Sequence, residues 1–153
     1  MLVNTKNKKC SFKGYWHGDF LFLFLTYYYI LKIMQKTIFV IDDNGSNLTL
    51  AEEALEDAYR VITFSSAAKM FAVLEKVTPD LILLDIEMPE MDGFETIKRL
   101  KENSVHSAIP VVFLTATDEA AIREKGKGLG AVDFVIKPFT NTALLETVGK
   151  RLS

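Results

Sequence analysis

The chain of 153 residues is poor in cysteine, histidine and proline, with one Cys, two His and four Pro. A lone Cys10 closes no internal disulfide and is too little for a zinc site. That excludes a disulfide-stapled miniprotein and is compatible with a reducing compartment. The sequence has no repeat, no low-complexity tract and no excess of one charge: 18 Lys and Arg stand against 20 Asp and Glu, net −2. With 49% apolar and 25% charged residues, it is neither a disordered tail nor a collagenous chain. The length suits one domain with a short appendage. His17 and His106 belong to no motif and read as surface residues.

The charge is unevenly placed. Residues 1–36 hold six Lys (Lys6, Lys8, Lys9, Lys13, Lys32, Lys36) and one Asp, net +5, whereas the remainder holds 12 basic and 19 acidic residues, net −7. An acidic domain repels phosphate backbones, so no direct nucleic-acid binding is expected. Between the lysines, Phe20–Leu31 is apolar or aromatic except at Thr26. As a helix this run covers about 18 Å, short of the roughly 30 Å hydrocarbon core of a bilayer. A secretion signal would need a small-x-small cleavage site, and the following Lys32-Ile-Met-Gln-Lys36 lacks one. As an anchor, the segment would hold its lysine-rich end in the cytoplasm and the domain outside. It could equally dock on the domain as an extra element. The favoured expectation is that residues 1–36 are an extension without a part in the chemistry, Met34 offering an alternative start, and that residues 37–153 form the domain.

From Thr37 on, short apolar runs alternate with segments of helical period. Ile38–Ile41, Arg60–Phe64, Leu81–Leu84, Val111–Leu114 and Val132–Ile136 are mostly continuously apolar, as strands covered on both faces are. Helical spacing links Leu48, Ala51, Leu55 and Ala58; Ala67, Phe71 and Leu74; Phe94, Ile97 and Leu100; and Leu145, Val148 and Leu152, the last begun near Thr140. Asp118–Lys127 is weaker, with Ala121 and Ile122 as anchors. Gly126, Gly128 and Gly130 disfavour helix and predict a short or mobile one, or a simple C-cap. They follow a helical stretch, not a strand, and so make no dinucleotide fingerprint. Strand spacing of roughly 20–30 residues fits βαβ crossovers and predicts a flavodoxin-like, doubly wound parallel sheet of five strands with five helices.

Ligands of such sheets bind beyond the carboxyl ends of the strands. Those ends carry Asp42-Asp43, Asp85, Thr115-Ala116 and Lys137-Pro138. Taken singly these are ordinary: a turn and cap at Asp42-Asp43, a β-former at Thr115, a solvated charge at Lys137. Together they are not. Converging carboxylates repel one another, and a hard divalent cation such as Mg²⁺ relieves the conflict with oxygen ligands and retained waters. With a hydroxyl from Thr115 and the ammonium of Lys137, Asp85 becomes a candidate acceptor in phosphoryl transfer.

At these positions the sequence resembles the receiver domain of two-component response regulators, a chemotaxis-regulator-like domain, over Thr37 to Leu152. The motifs are Val40–Asp43, Leu83–Phe94, Leu114–Ala116 and Gly130–Phe139. The resemblance implies Asp85 as phosphoacceptor, Asp43 as direct metal ligand with Asp42 acting through a water, and the backbone carbonyl of Glu87 as a further ligand. It implies Thr115 as switch hydroxyl, Lys137 as the lysine that neutralises the phosphoryl group, and a cis bond to Pro138. Phe134 takes the position of a rotating aromatic that is Tyr in many members, which keeps the ring and loses the hydroxyl. Met88-Pro89 and Asp92-Gly93 fit the turn after the acceptor, Gly93 tolerating φ > 0. The implied cofactor is Mg²⁺, with Mn²⁺ as a substitute, and the implied donor is a histidine kinase or histidine phosphotransfer protein in the cytoplasm. The output partner or output domain is left unnamed, and a homodimer is left open.

Two other readings remain. Asp85-Ile-Glu87 imitates the Asp-x-Asp of aspartate-nucleophile phosphohydrolases, although Glu87 is a poor match for the second Asp. A receiver-like module that binds without taking phosphate is the other, and the intact Asp42, Asp43, Asp85, Thr115 and Lys137 speak against it.

Overall fold

The computed structural model describes residues 16–153, so Lys6, Lys8, Lys9, Lys13 and Cys10 lie outside the described residues. Cα packing separates a unit ending at Met34 from a unit spanning Gln35–Ser153. The first contains helix α1 (Trp16–Met34). No helix among the described residues is long and apolar enough to cross a membrane.

The second unit alternates strands and helices: β1 (Thr37–Ile41), α2 (Gly45–Leu55), β2 (Arg60–Phe64), α3 (Ala67–Leu74), β3 (Leu81–Asp85), α4 (Gly93–Glu102), β4 (Val111–Thr115), α5 (Ala120–Gly128), β5 (Asp133–Ile136) and α6 (Asn141–Leu152). The strands are all parallel, in the order β2-β1-β3-β4-β5. This is the flavodoxin-like sheet that the strand spacing predicts. Continuous apolar runs are needed because both faces are covered. Ile38, Val40, Leu81, Leu83, Val112 and Leu114 turn to the side of Leu55, Leu144 and Val148, from α2 and α6. Phe39, Ile41, Ile82, Leu84 and Phe113 turn to the side of Met70, Ile97 and Leu100, from α3 and α4. The central strands β3 and β4 are wholly buried. Burial on this scale, at roughly 25 cal/mol per Å² of apolar surface, is the main force holding the sheet to its helices.

Helix starts follow side-chain capping. Asn44, Ser66, Asp92 and Thr140 each accept a hydrogen bond from a first-turn amide of α2, α3, α4 and α6. Several helical anchors read from the sequence shift by a residue or fall away. Helix α2 ends at Leu55, and Ala58 lies exposed in the turn beyond. Met70, not Phe71, fills the buried position of α3, Phe71 being half-buried. In α6 Leu144 is buried and Leu145 is 40% exposed. In α5 Ala121 is exposed and the buried residue is Gly126. In α3 and α6 the cause is shared: a short apolar cluster fits two neighbouring helical phases, and only the facing sheet selects one.

The glycines at the end of α5 resolve into separate jobs. The amide of Ala131 donates to the Gly126 carbonyl and that of Gly130 to the Lys127 carbonyl, both at 3.0 Å. With Gly130 at φ 96° this is a Schellman closure, the C-cap alternative of the sequence reading.

Candidate functional site

The order β2-β1-β3 reverses direction between β1 and β3, and the site is built at that switch point. Ile41 pairs with Leu84, so the next residues in register are Asp42 and Asp85, on strands about 4.8 Å apart. Neither side chain can avoid the other. Asp42 is fully buried and Asp85 is 2% exposed, while Asp43 is exposed. One carboxylate oxygen from each of Asp42, Asp43 and Asp85 lies within 4.8 Å of the others. Among the described residues this is the one such cluster. Its donors are all oxygen and one of them reaches in from the solvent side. That set fits a hard divalent cation that retains part of its water shell.

Lys137 follows β5 and is carried to the cluster by the sheet register: Thr115 pairs with Ile136, and the Lys137 amide donates to the Thr115 carbonyl at 2.7 Å. Its Nζ lies 2.8 Å from Asp42 Oδ2 and 2.8 Å from Asp85 Oδ1. One ammonium thus answers two buried carboxylates. Burial pulls the lysine's pKa down, but its hydrogen bonds to Asp42 and Asp85 outweigh this and hold it above the usual value. For Asp85, burial raises the pKa and the nearby Asp42 charge adds to the rise; the hydrogen bond from Lys137 only partly reverses it. The Asp85 carboxylate is therefore under-compensated, as expected of a group poised to gain a cationic neighbour or to react.

The Lys137–Pro138 bond is cis. The Glu87 amide donates to Asp85 Oδ1 at 3.3 Å, so the backbone two residues past Asp85 curls back over it. The Glu87 carboxylate is not in the cluster, and its side chain is exposed. The turn that follows corrects the sequence reading. The positive φ falls on Glu90 (68°), not on Gly93. Glycine is needed at Gly93 for proximity: a β-carbon there would stand 2.4 Å from the Asp85 carbonyl oxygen. The start of α4 can press against the end of β3 only because that atom is missing, and the Gly93 amide donates to the Ile86 carbonyl at 2.9 Å.

Thr115 is 3% exposed and stands at the end of β4, but both hydrogen bonds of its hydroxyl run to Thr117: it donates to the carbonyl at 3.1 Å and accepts from the amide at 3.2 Å. The Phe134 ring is 7% exposed, 5.8 Å from that of Phe113, with the Arg123 guanidinium 5.4 Å from its centroid. The ring is thus already inside while Thr115 is held by its own loop. His106 lies in the α4–β4 loop and is not in the cluster, and the side chain of His17 lies outside the described residues.

The sequence reading passes over Asn47. Its amide nitrogen donates to both oxygens of Asp42, at 3.2 and 3.0 Å, and the Asn44 amide adds a bond to Oδ1 at 2.9 Å. These donors satisfy both oxygens of the buried Asp42. In the sequence Asn47 is merely a polar residue in the first turn of a helix; its position five residues after the aspartate, on the turn facing back to it, was the available signal.

Fold and site together define a doubly wound α/β domain with an acidic, lysine-bridged pocket at the carboxyl edge of its sheet. Known proteins agree. The response regulator receiver domain family matches residues 38–149. A probable cyclic di-GMP phosphodiesterase of Vibrio cholerae is 37% identical over 120 residues, covering 78% of this chain and 27% of that protein. The alkaline phosphatase synthesis transcriptional regulatory protein PhoP of Bacillus subtilis is 40% identical over 108 residues, covering 70% of this chain and 44% of its own. The crystallised chemotaxis protein CheY4 of Vibrio cholerae superimposes with a TM-score of 0.74 at 30% identity, over 77% of this chain and 99% of that one. The chain belongs to the response regulator receiver domain family, the signalling domains of two-component systems. It spans less than half the length of these two curated relatives.

Proposed function

We propose that the chain is a Mg²⁺-dependent phosphoacceptor of a two-component phosphorelay, taking a phosphoryl group on Asp85 and switching a partner-binding surface. The observation that carries this is Lys137 Nζ at 2.8 Å from both Asp42 and Asp85, beside a third carboxylate within 4.8 Å. A carboxylate oxygen of Asp85 attacks the phosphorus of a phosphohistidine on a histidine kinase or phosphotransfer protein. The new O–P bond replaces the N–P bond, and the departing imidazole keeps the electron pair and takes a proton from water. Lys137, already placed at Asp85, meets the added negative charge. Asp43, Asp85 and the Glu87 carbonyl would hold Mg²⁺ or Mn²⁺, with Asp42 acting through a water; when bound, the ion supplies positive charge against the carboxylates and phosphoryl oxygens.

Thr115 must leave its two bonds to Thr117 to donate to the phosphoryl group. Loss of those bonds would loosen the loop before α5 and change the surface of α5, β5 and α6, with Phe134 as the buried element between them. Residues 37–153 are the receiver domain in this reading, residues 1–36 take no part in the chemistry, and the donor kinase places the reaction in the cytoplasm.

The test is intact-mass spectrometry after incubation with acetyl phosphate and Mg²⁺. A phosphoryl-sized gain that is absent from Asp85→Asn and absent without the metal supports the phosphoacceptor. Rapid turnover of phosphate monoesters without an adduct would mark a phosphohydrolase using Asp85 as nucleophile. No adduct and no Mg²⁺ binding would leave a non-phosphorylated binding module.

A further inference from the structure

Helix α1 presents an unbroken exposed stretch, Leu21–Leu31, in which every side chain but Thr26 is apolar or aromatic. Phe22 is 71% and Phe24 60% exposed, on opposite sides of the helix. Water is a poor solvent for such a surface, and the drive to cover it is large. The one polar group of the stretch is already satisfied: the Thr26 hydroxyl donates to the Phe22 carbonyl at 2.7 Å, so it asks nothing of its surroundings.

Charge decides between occupants. Four lysines, Lys6, Lys8, Lys9 and Lys13, precede the apolar run and Lys32 follows it, within a segment of net +5. A second copy would bring another +5 to the same contact. An anionic lipid surface brings opposite charge and an apolar interior together. The run Phe20–Leu31 is about 18 Å long, roughly the depth of one leaflet, and Tyr27, Tyr28 and Tyr29 are residues that favour the headgroup boundary. We propose that helix α1 docks this chain on an anionic bilayer, entering one leaflet without crossing it. The extension would then have a place in the cell as its role, independently of the chemistry at Asp85.

The experiment is flotation of the full chain with vesicles of phosphatidylcholine alone or mixed with phosphatidylglycerol. Trp16, the sole tryptophan, serves as a second reporter through its emission. The chain should float with the mixed vesicles at low salt and shift its Trp16 emission to the blue. Replacing Lys6, Lys8, Lys9 and Lys13 by Gln should weaken partitioning on the order of a thousandfold, at about 1 kcal/mol per lysine near the surface, and reduce its salt dependence. Phe22→Asp with Phe24→Asp should abolish flotation with the mixed vesicles while the variant keeps the parent's circular dichroism and its response to acetyl phosphate. The proposal is overturned if the full chain stays unbound with anionic vesicles, or if the lysine replacements leave binding unchanged. It is equally overturned if the chain forms oligomers, lost in the Asp variant, that exclude lipid, since a second copy would then cover the helix.

Discussion

Gly126 lies directly against the ring of Phe134: a β-carbon on Gly126 would stand 2.7 Å from Cζ and 2.9 Å from Cε1, and 3.0 Å from Cε2 of Phe113. The buried position of Phe134 is therefore bought with a missing side chain on α5. A glycine that looks like a weak spot in a helix is a steric allowance for the neighbouring strand.

Gly126→Ala should cost about 1–3 kcal/mol by overpacking, although alanine is the better helix former. In a Phe134→Ala background the same change should be neutral or stabilising. A double-mutant cycle by urea denaturation measures the coupling, and additive effects would show that the ring simply moves aside.

Asp85→Asn should stabilise the domain in metal-free buffer at neutral pH. Burial and Asp42 raise the Asp85 pKa above its usual value. A raised acid favours folding fully only below its unfolded pKa, and that contribution is lost as pH rises through the folded pKa, so the carboxylate is a burden at pH 7. Removing the charge should raise Tm by a few degrees, on the order of 1 kcal/mol. Added Mg²⁺ should raise the Tm of the parent and not that of the variant, which differential scanning calorimetry reads directly.

Lys137→Ala leaves Asp42 and Asp85 facing each other without their shared cation. A loss of about 1–3 kcal/mol is expected, less than for a fully buried pair because the lysine side chain is 18% exposed. Mg²⁺ should recover part of this stability, while labelling of Asp85 by acetyl phosphate should slow at least tenfold. Unchanged stability without metal would show that water serves in place of the ammonium.

At the other end of β5, Arg151 donates to Asp133 at 2.8 and 3.0 Å. Burial lifts the Asp133 pKa, but the hydrogen bond from Arg151 and the Phe134 amide outweigh it and hold the carboxyl below its usual value. A depressed acid contributes stability above its unfolded pKa, near 4, that is lost as pH falls through the folded pKa. Arg151→Ala should flatten the stability–pH curve below about pH 4 and cost at most about 1 kcal/mol at pH 7, since both side chains are partly exposed. Urea midpoints measured across that range provide the check.

The unbroken apolar runs were enough to read a parallel sheet, because a strand covered on two faces can hold nothing else. Polar residues at four of the five strand ends marked the edge where chemistry sits. Helical phase was less legible: Leu144 and Leu145 are equivalent in composition, and only the sheet beneath decides which is buried. Gly93 was read for its dihedral freedom and is required for its proximity to Asp85, a contact between elements that no local rule describes.

The order of residues by itself determined that Asp42, Asp43, Asp85, Thr115 and Lys137 end up at one rim, since each terminates an apolar strand and parallel strands all end on one side. Tertiary structure alone decided the partnerships across that rim: that Lys137 spans Asp42 and Asp85, that Asn47 donates to Asp42, and that the Thr115 hydroxyl turns to Thr117. The physical reason is that strand ends are set by local hydrophobic pattern, whereas bonds of about 3 Å depend on register and on loops packed from distant parts of the chain.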